Sequence, residues 1–148
     1  MENNFNIQHY FKKILINILY FLLDWIITTD HKKIGIMYLY FGMWCGLSGF
    51  VYSTIIRLEL AAPGHQILGG ATHYYSVVMT AHGIIMVFFF VMPVLIGGFG
   101  NFFIPIMLIT SEMAFPRLNA LSFWLLPGSY LTFMYASGEF NTEGAGTG

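Results

Sequence analysis

Apolar and polar positions in this chain come in long blocks, not in the alternation of a strand or the half-and-half stripe of a soluble helix. The stretch Ile34–Ile56, "IGIMYLYFGMWCGLSGFVYSTII", carries no charge and reaches about 34 Å as a helix, enough to cross a bilayer. Gly42, Gly46 and Gly49 fall on one face of it and predict a close-packing seam. A second block, Tyr74–Ile104, is longer than a crossing needs. It predicts a tilted helix or one with an irregular end, kinked at Pro93 and loosened by Gly97, Gly98 and Gly100. The third block, Leu118–Ala136, is predicted to be interrupted at Pro127-Gly128, and "SGEFNTEGAGTG" after it reads as non-helical.

The N-terminal segment sets Lys12 and Lys13 before the apolar run Ile14–Leu23. Asp24, Asp30 and His31 follow without a small-residue cleavage site, so the segment reads as a retained extension. As an interfacial helix it would place Phe11, Tyr20 and Trp25 at headgroup level. Two regions result: an extension over 1–33 and three spans over 34–148.

Composition sharpens the class. The chain is 57% hydrophobic and only 9% charged, with a mean hydropathy of +0.68. Soluble domains carry about 25% charged residues, so the solvent for this surface is a lipid bilayer. A net charge of −1 gives no sign of a nucleic-acid partner. The single cysteine, Cys45, excludes a disulfide framework or a thiolate metal cluster within the chain. Lys12, Lys13, Lys32, Lys33 and Arg117 gather on one side of the spans and Arg57 alone on the other. The N-terminus and second loop are therefore expected inside, on the matrix side in a mitochondrion or in the cytoplasm of a bacterium. Three helices apolar nearly all round predict an all-α membrane protein that is part of a larger bundle.

Against this background three features carry chemistry. His82 interrupts "VVMTAHGIIMVFFF", and an ionisable side chain inside a span is a candidate functional site. A neutral imidazole there can ligate iron, with Met79, Met86 and Phe89 as an apolar wall, or can bond to a neighbouring helix. Arg57, with Glu59 two residues on, can anchor at the interface or reach inward to a cofactor acceptor. In the loop between the second and third spans, Glu112 can collect protons, with Asn101 and Asn119 leading inward, or pair with Arg117 at the surface.

The stretches "DWIITTDHKKIGIMYLYFG", "IIRLELAAPG", "YSVVMTAHGIIMVFFFVMPVLIGGFGNFFIP", "EMAFPRLNALSFWLLP" and "EGAGTG" together resemble subunit I of the heme-copper oxidases, in the cytochrome c oxidase branch. The resemblance runs from about Asp24 to Gly148 and implies about the first three of some twelve helices. It implies that His82 is an axial ligand of heme a and that Arg57 bonds the heme a formyl group. Glu59 and Gly64 correspond to a calcium or sodium site. Asn101, Asn119 and Tyr38 correspond to the D proton channel, and Glu112 stands where the family usually has an aspartate. His31 lies near the inner mouth of that channel without an assigned role.

The implied activity is electron transfer from cytochrome c to oxygen, coupled to proton pumping across the mitochondrial inner membrane or a bacterial plasma membrane. The implied partners are the remainder of subunit I, subunits II and III, and cytochrome c. Ligands of heme a3 and copper B belong to segments beyond those quoted, so they must come from a separate chain or from a continuation past an insertion or gap. A quinol oxidase is the near alternative, set against by Glu59 and the ion-site pattern. A heme-free structural or assembly subunit is the distant one.

Overall fold

The computed structural model describes residues 2–137, with side chains from residue 12 onward. Among these the chain forms helices and no strand. We label them α1 (Glu2–Ile26), α2 (His31–Glu59), α3 (Thr72–Met107) and α4 (Pro116–Ala136). The segment "SGEFNTEGAGTG" beyond Ser137 and the side chain of Phe11 lie outside the described residues.

The start of α2 follows from "TTDHKK". Asp30 is extended (φ −69°, ψ 119°), and its carboxylate accepts the Lys32 N–H at 2.9 Å. That satisfies one of the donors every helix start leaves open. The helix then runs uncapped by glycine to Glu59 because its glycines are spent on packing. A Cβ on Gly42 would stand 2.5 Å from Val94 Cγ2, one on Gly46 2.7 Å from the Phe90 ring, and one on Gly49 2.6 Å from Met86 Sδ. At Gly35 the two backbones themselves meet, with the Gly98 carbonyl 3.1 Å from a Cβ position. Side chains of α3 four residues apart thus fill notches on an antiparallel α2, the predicted seam in atomic detail.

Within α3 the turns widen to π geometry over Ile85–Val91 and Pro93–Gly100, on either side of Pro93. Proline lacks an N–H and crowds the preceding turn. Wider turns accommodate it while the helix continues. The expected irregularity at Gly97, Gly98 and Gly100 takes the form of these widened turns, which leave the helix unbroken. Gly97 and Gly98 are buried under Tyr38 and Leu39, so they serve close approach and not flexibility. The helix ends with Ile109 in the left-handed region (φ 55°) and the Thr110 N–H on the Pro105 carbonyl at 3.0 Å, a tight C-terminal turn.

The predicted interruption of α4 is absent, since the helix passes through Pro127 unbroken. Ser129 and Thr132 hydroxyls bond backward to the carbonyls of Leu126, Gly128 and Ser129. These bonds lie on the turn after the proline, which removes only the N–H that would have met the Phe123 carbonyl. α2 and α3 are each long and apolar enough to span a bilayer; α4 reaches the length with a less apolar sequence. Cys45, Tyr52, Val78, Ala81, Ile85, Phe89, Tyr130 and Met134 form the main core between α2, α3 and α4. Outward-facing Tyr40, Met43, Trp44, Leu47, Phe88 and Ile96 stay exposed, as befits a surface meant for lipid or further helices.

Candidate functional site

His82 stands on α3 where the α2 seam passes Gly49. Its Nδ1 lies 2.9 Å from the Gly49 carbonyl oxygen, which can only accept, so Nδ1 carries the proton. Nε2 then keeps its lone pair and has no partner among the described residues. That is the state of a metal-ligating imidazole, with a second bond fixing tautomer and ring direction. Gly49 permits it by letting α3 come close. The interhelical bond expected as one alternative for His82 is formed, and it leaves Nε2 open to a ligand role.

The wall around His82 differs from expectation. Met86 packs on Gly49, but Met79 is exposed. Phe89 turns into the core, with its ring centroid 5.3 Å from Tyr130 and 5.9 Å from Phe133. The widened turns from Ile85 rotate Phe89 off the His82 face, and an α-helical period could not show that. Arg57 lies eight residues beyond Gly49, about 12 Å along α2, exposed and without an ion pair among the described residues.

Glu59 closes the loop after α2. Its Oε1 accepts the Gln66 N–H at 3.3 Å, and its Oε2 accepts those of Ile67 and Leu68, each at 2.8 Å. A carboxylate offers about four acceptor positions, so Oε1 retains the free one. Gly64 sits in the same loop at φ 98° with open space around it, on the rim of a cavity of about 610 Å³. Among the described residues no three His, Cys, Asp or Glu side chains gather. The loop therefore supplies one anionic lone pair and backbone carbonyls, a fraction of the six to eight oxygens calcium takes.

At the end bearing Lys32, Lys33 and Arg117, Glu112 and His31 line one polar cavity of about 350 Å³ with Ser111 and Asp30. His31 is 5% exposed, and its Nδ1 is buried without a hydrogen-bond partner, 3.7 Å from Asp30 Oδ1. Glu112 is exposed and makes no ion pair with Arg117, so the surface-pair alternative is not formed. Above the cavity, Tyr38 OH and Ser122 Oγ are 2.8 Å apart, and Ser122 Oγ donates to the Asn119 carbonyl at 2.7 Å. Ser122 thereby joins Tyr38 to Asn119, a link that sequence reading missed. The Asn119 amide itself donates to Met113 Sδ at 3.3 Å. Asn101 is buried (7% exposed) and bonds to none of these groups.

A second hydroxyl chain was equally unforeseen. Tyr130 OH donates to Ser48 Oγ at 2.9 Å, and Ser48 Oγ donates to the Cys45 carbonyl at 2.7 Å. Tyr and Ser in apolar helices are too common for either pair to be legible from spacing.

Residues 33–148 match the family described as cytochrome C and quinol oxidase polypeptide I. The chain is 46% identical to cytochrome c oxidase subunit 1 of Eremothecium gossypii over 86% of its own length and 24% of that relative's. Identity to the Candida albicans subunit 1 is 50%, over 84% of this chain and 23% of the relative. The Yarrowia lipolytica subunit 1 gives 48% over the same shares. The chain thus spans about a quarter of the length of the curated relatives it matches.

Proposed function

This chain belongs to the cytochrome c and quinol oxidase polypeptide I family, and we propose that it forms the first three membrane helices of the catalytic subunit of a cytochrome c oxidase. The matched relatives bear the cytochrome c name, which favours that donor over quinol. Electron transfer to oxygen coupled to proton pumping then belongs to the assembled complex. Its other parts are the remainder of subunit I, subunits II and III, and cytochrome c. The excess of basic residues at one end supports a matrix-facing side there, in a mitochondrion.

The observation that carries the reading is the His82 ring, with its proton on Nδ1 against Gly49 and a free Nε2. These residues fit heme a, which when bound supplies a one-electron redox centre. His82 would hold its iron through Nε2, and the Gly49 carbonyl would fix the tautomer and direction of the ring. Arg57, charged at every accessible pH, would donate to the formyl group at the heme edge. Heme a3 and copper B would take their ligands from the rest of the subunit.

Proton entry is the second part of the proposal. Glu112 is placed to exchange protons with the aqueous phase, and His31 faces the same cavity with an unpartnered Nδ1. Tyr38, Ser122, Asn101 and Asn119 are uncharged polar groups deeper along the helices. They can hold water without trapping a charge. Glu59 and the Gly64 carbonyl would give a calcium or sodium ion at the opposite end one side-chain oxygen and one backbone oxygen, the rest coming from elsewhere in the complex.

The test is the optical spectrum of the assembled oxidase carrying His82→Ala. The low-spin heme band is expected to vanish, or the complex not to assemble. His82→Met, which keeps an axial donor, is expected to restore assembly with a shifted band. A low-spin spectrum unchanged in His82→Ala overturns the assignment.

A further inference from the structure

Where α1 gives way to α2, the start of α4 stands beside it and a cleft of about 510 Å³ opens between them. Ile26, Ile27, Leu121 and Trp124 make its apolar walls, and Arg117 and Thr29 lie at its polar side. The Trp124 indole is pinned by its N–H to the Ile26 carbonyl at 3.1 Å, which makes one wall rigid. Arg117 is exposed, and among the described residues it has no carboxylate partner and no acidic residue lines the cleft. Nor does a side chain cap α4: Phe115 occupies the cap position, so the positive end of a 21-residue helix is left uncompensated next to the guanidinium. Two sources of positive potential thus converge beside an apolar slot at the basic end of helices of membrane length.

We propose that this cleft binds an anionic phospholipid of the surrounding bilayer, its phosphate on Arg117 and the start of an acyl chain against Ile26, Ile27 and Trp124. A planar guanidinium takes two phosphate oxygens at once, and the open helix start adds to the attraction. Basic pockets between membrane helices take lipid headgroups for this reason. A zwitterionic choline would find no acidic partner here, so the net-negative lipid is preferred. The occupant also ties α1, otherwise held by the Lys33–Asp24 ion pair at 2.6 Å and the Trp124 bond, to the bundle.

The experiment counts phosphatidylglycerol retained by the purified oxidase complex in native mass spectrometry, after nanodiscs of phosphatidylglycerol in phosphatidylcholine. One tightly held phosphatidylglycerol is expected to be lost in Arg117→Gln, with affinity falling about tenfold, the scale of a charge-assisted pair. Arg117→Lys is expected to keep part of it. Leu121→Trp, which fills the slot without touching the charge, is expected to lose it too, and decides the matter if Arg117→Gln does not assemble. Equal retention in wild type, Arg117→Gln and Leu121→Trp overturns the proposal. So does a wild-type complex with no retained phosphatidylglycerol, because other parts of the assembly then cover the cleft. Equal retention of phosphatidylcholine, or displacement by millimolar inorganic phosphate, overturns the choice of an anionic lipid.

Discussion

A buried hydroxyl in a membrane helix needs an acceptor, and Tyr38 finds one in Ser122 at 2.8 Å, which passes its own proton to the Asn119 carbonyl at 2.7 Å. Such side-chain bonds between membrane helices average only about 0.6 kcal/mol, so this one fixes direction more than it stabilises. Tyr38→Phe should therefore lower the stability of the complex by no more than about 1 kcal/mol. It should slow proton uptake measurably if the hydroxyl lies on the path. Thermal melting and proton-uptake kinetics measured on the same preparation separate the two effects; a large stability loss with unchanged uptake would make Tyr38 purely structural. Tyr38 and Asn119 were legible from the motif resemblance. Ser122 was not, because the link depends on the rotation of α4 against α2, a tertiary quantity that no local spacing encodes.

At the scale of the element, the seam between α2 and α3 depends on missing Cβ atoms. Gly46 faces the Phe90 ring, where a Cβ would come within 2.7 Å, whereas a Cβ on Gly128 would meet nothing within 4 Å. Overpacking of this kind typically costs 1–3 kcal/mol. Gly46→Leu should thus reduce the yield and heat resistance of the assembled complex sharply, while Gly128→Ala leaves both unchanged. Size-exclusion recovery after a temperature ramp reads the difference, and equal recovery of the two variants would rule out the seam as the source of stability. The glycine stripe on α2 was plain in the sequence because helical spacing alone defines a face. The course of α3 and α4 was not. Pro93, Gly97 and Pro127 are breakers in water, yet here both helices run on through them, α3 by widened turns around Pro93 with Gly97 packed under Tyr38. The same widened turns moved Phe89 from the His82 face into the core.

For the molecule as a whole, the three long helices separate two kinds of chemistry along their length. His82 lies toward the Arg57 end, and Glu112 with His31 lies at the basic end, so the ring proposed to hold the heme and the carboxylate proposed to collect protons stand apart along the helices. Among the described residues Glu112 forms no ion pair: Lys32 lines the same cavity, and the expected partner Arg117 faces another cleft. Glu can give and take a proton and Gln cannot. Glu112→Gln should accordingly slow oxygen consumption and weaken proton release in reconstituted vesicles, with the heme spectrum unaltered, because Glu112 and His82 lie at different levels of the bundle. Glu112→Asp should retain most of the activity, since the two acids differ by about 0.4 in intrinsic pKa and by one methylene of reach. If Glu112→Gln pumped at the wild-type rate and ratio, proton collection at this cavity would fall to another group, and His31, with its buried and unpartnered Nδ1, would be the one to replace next.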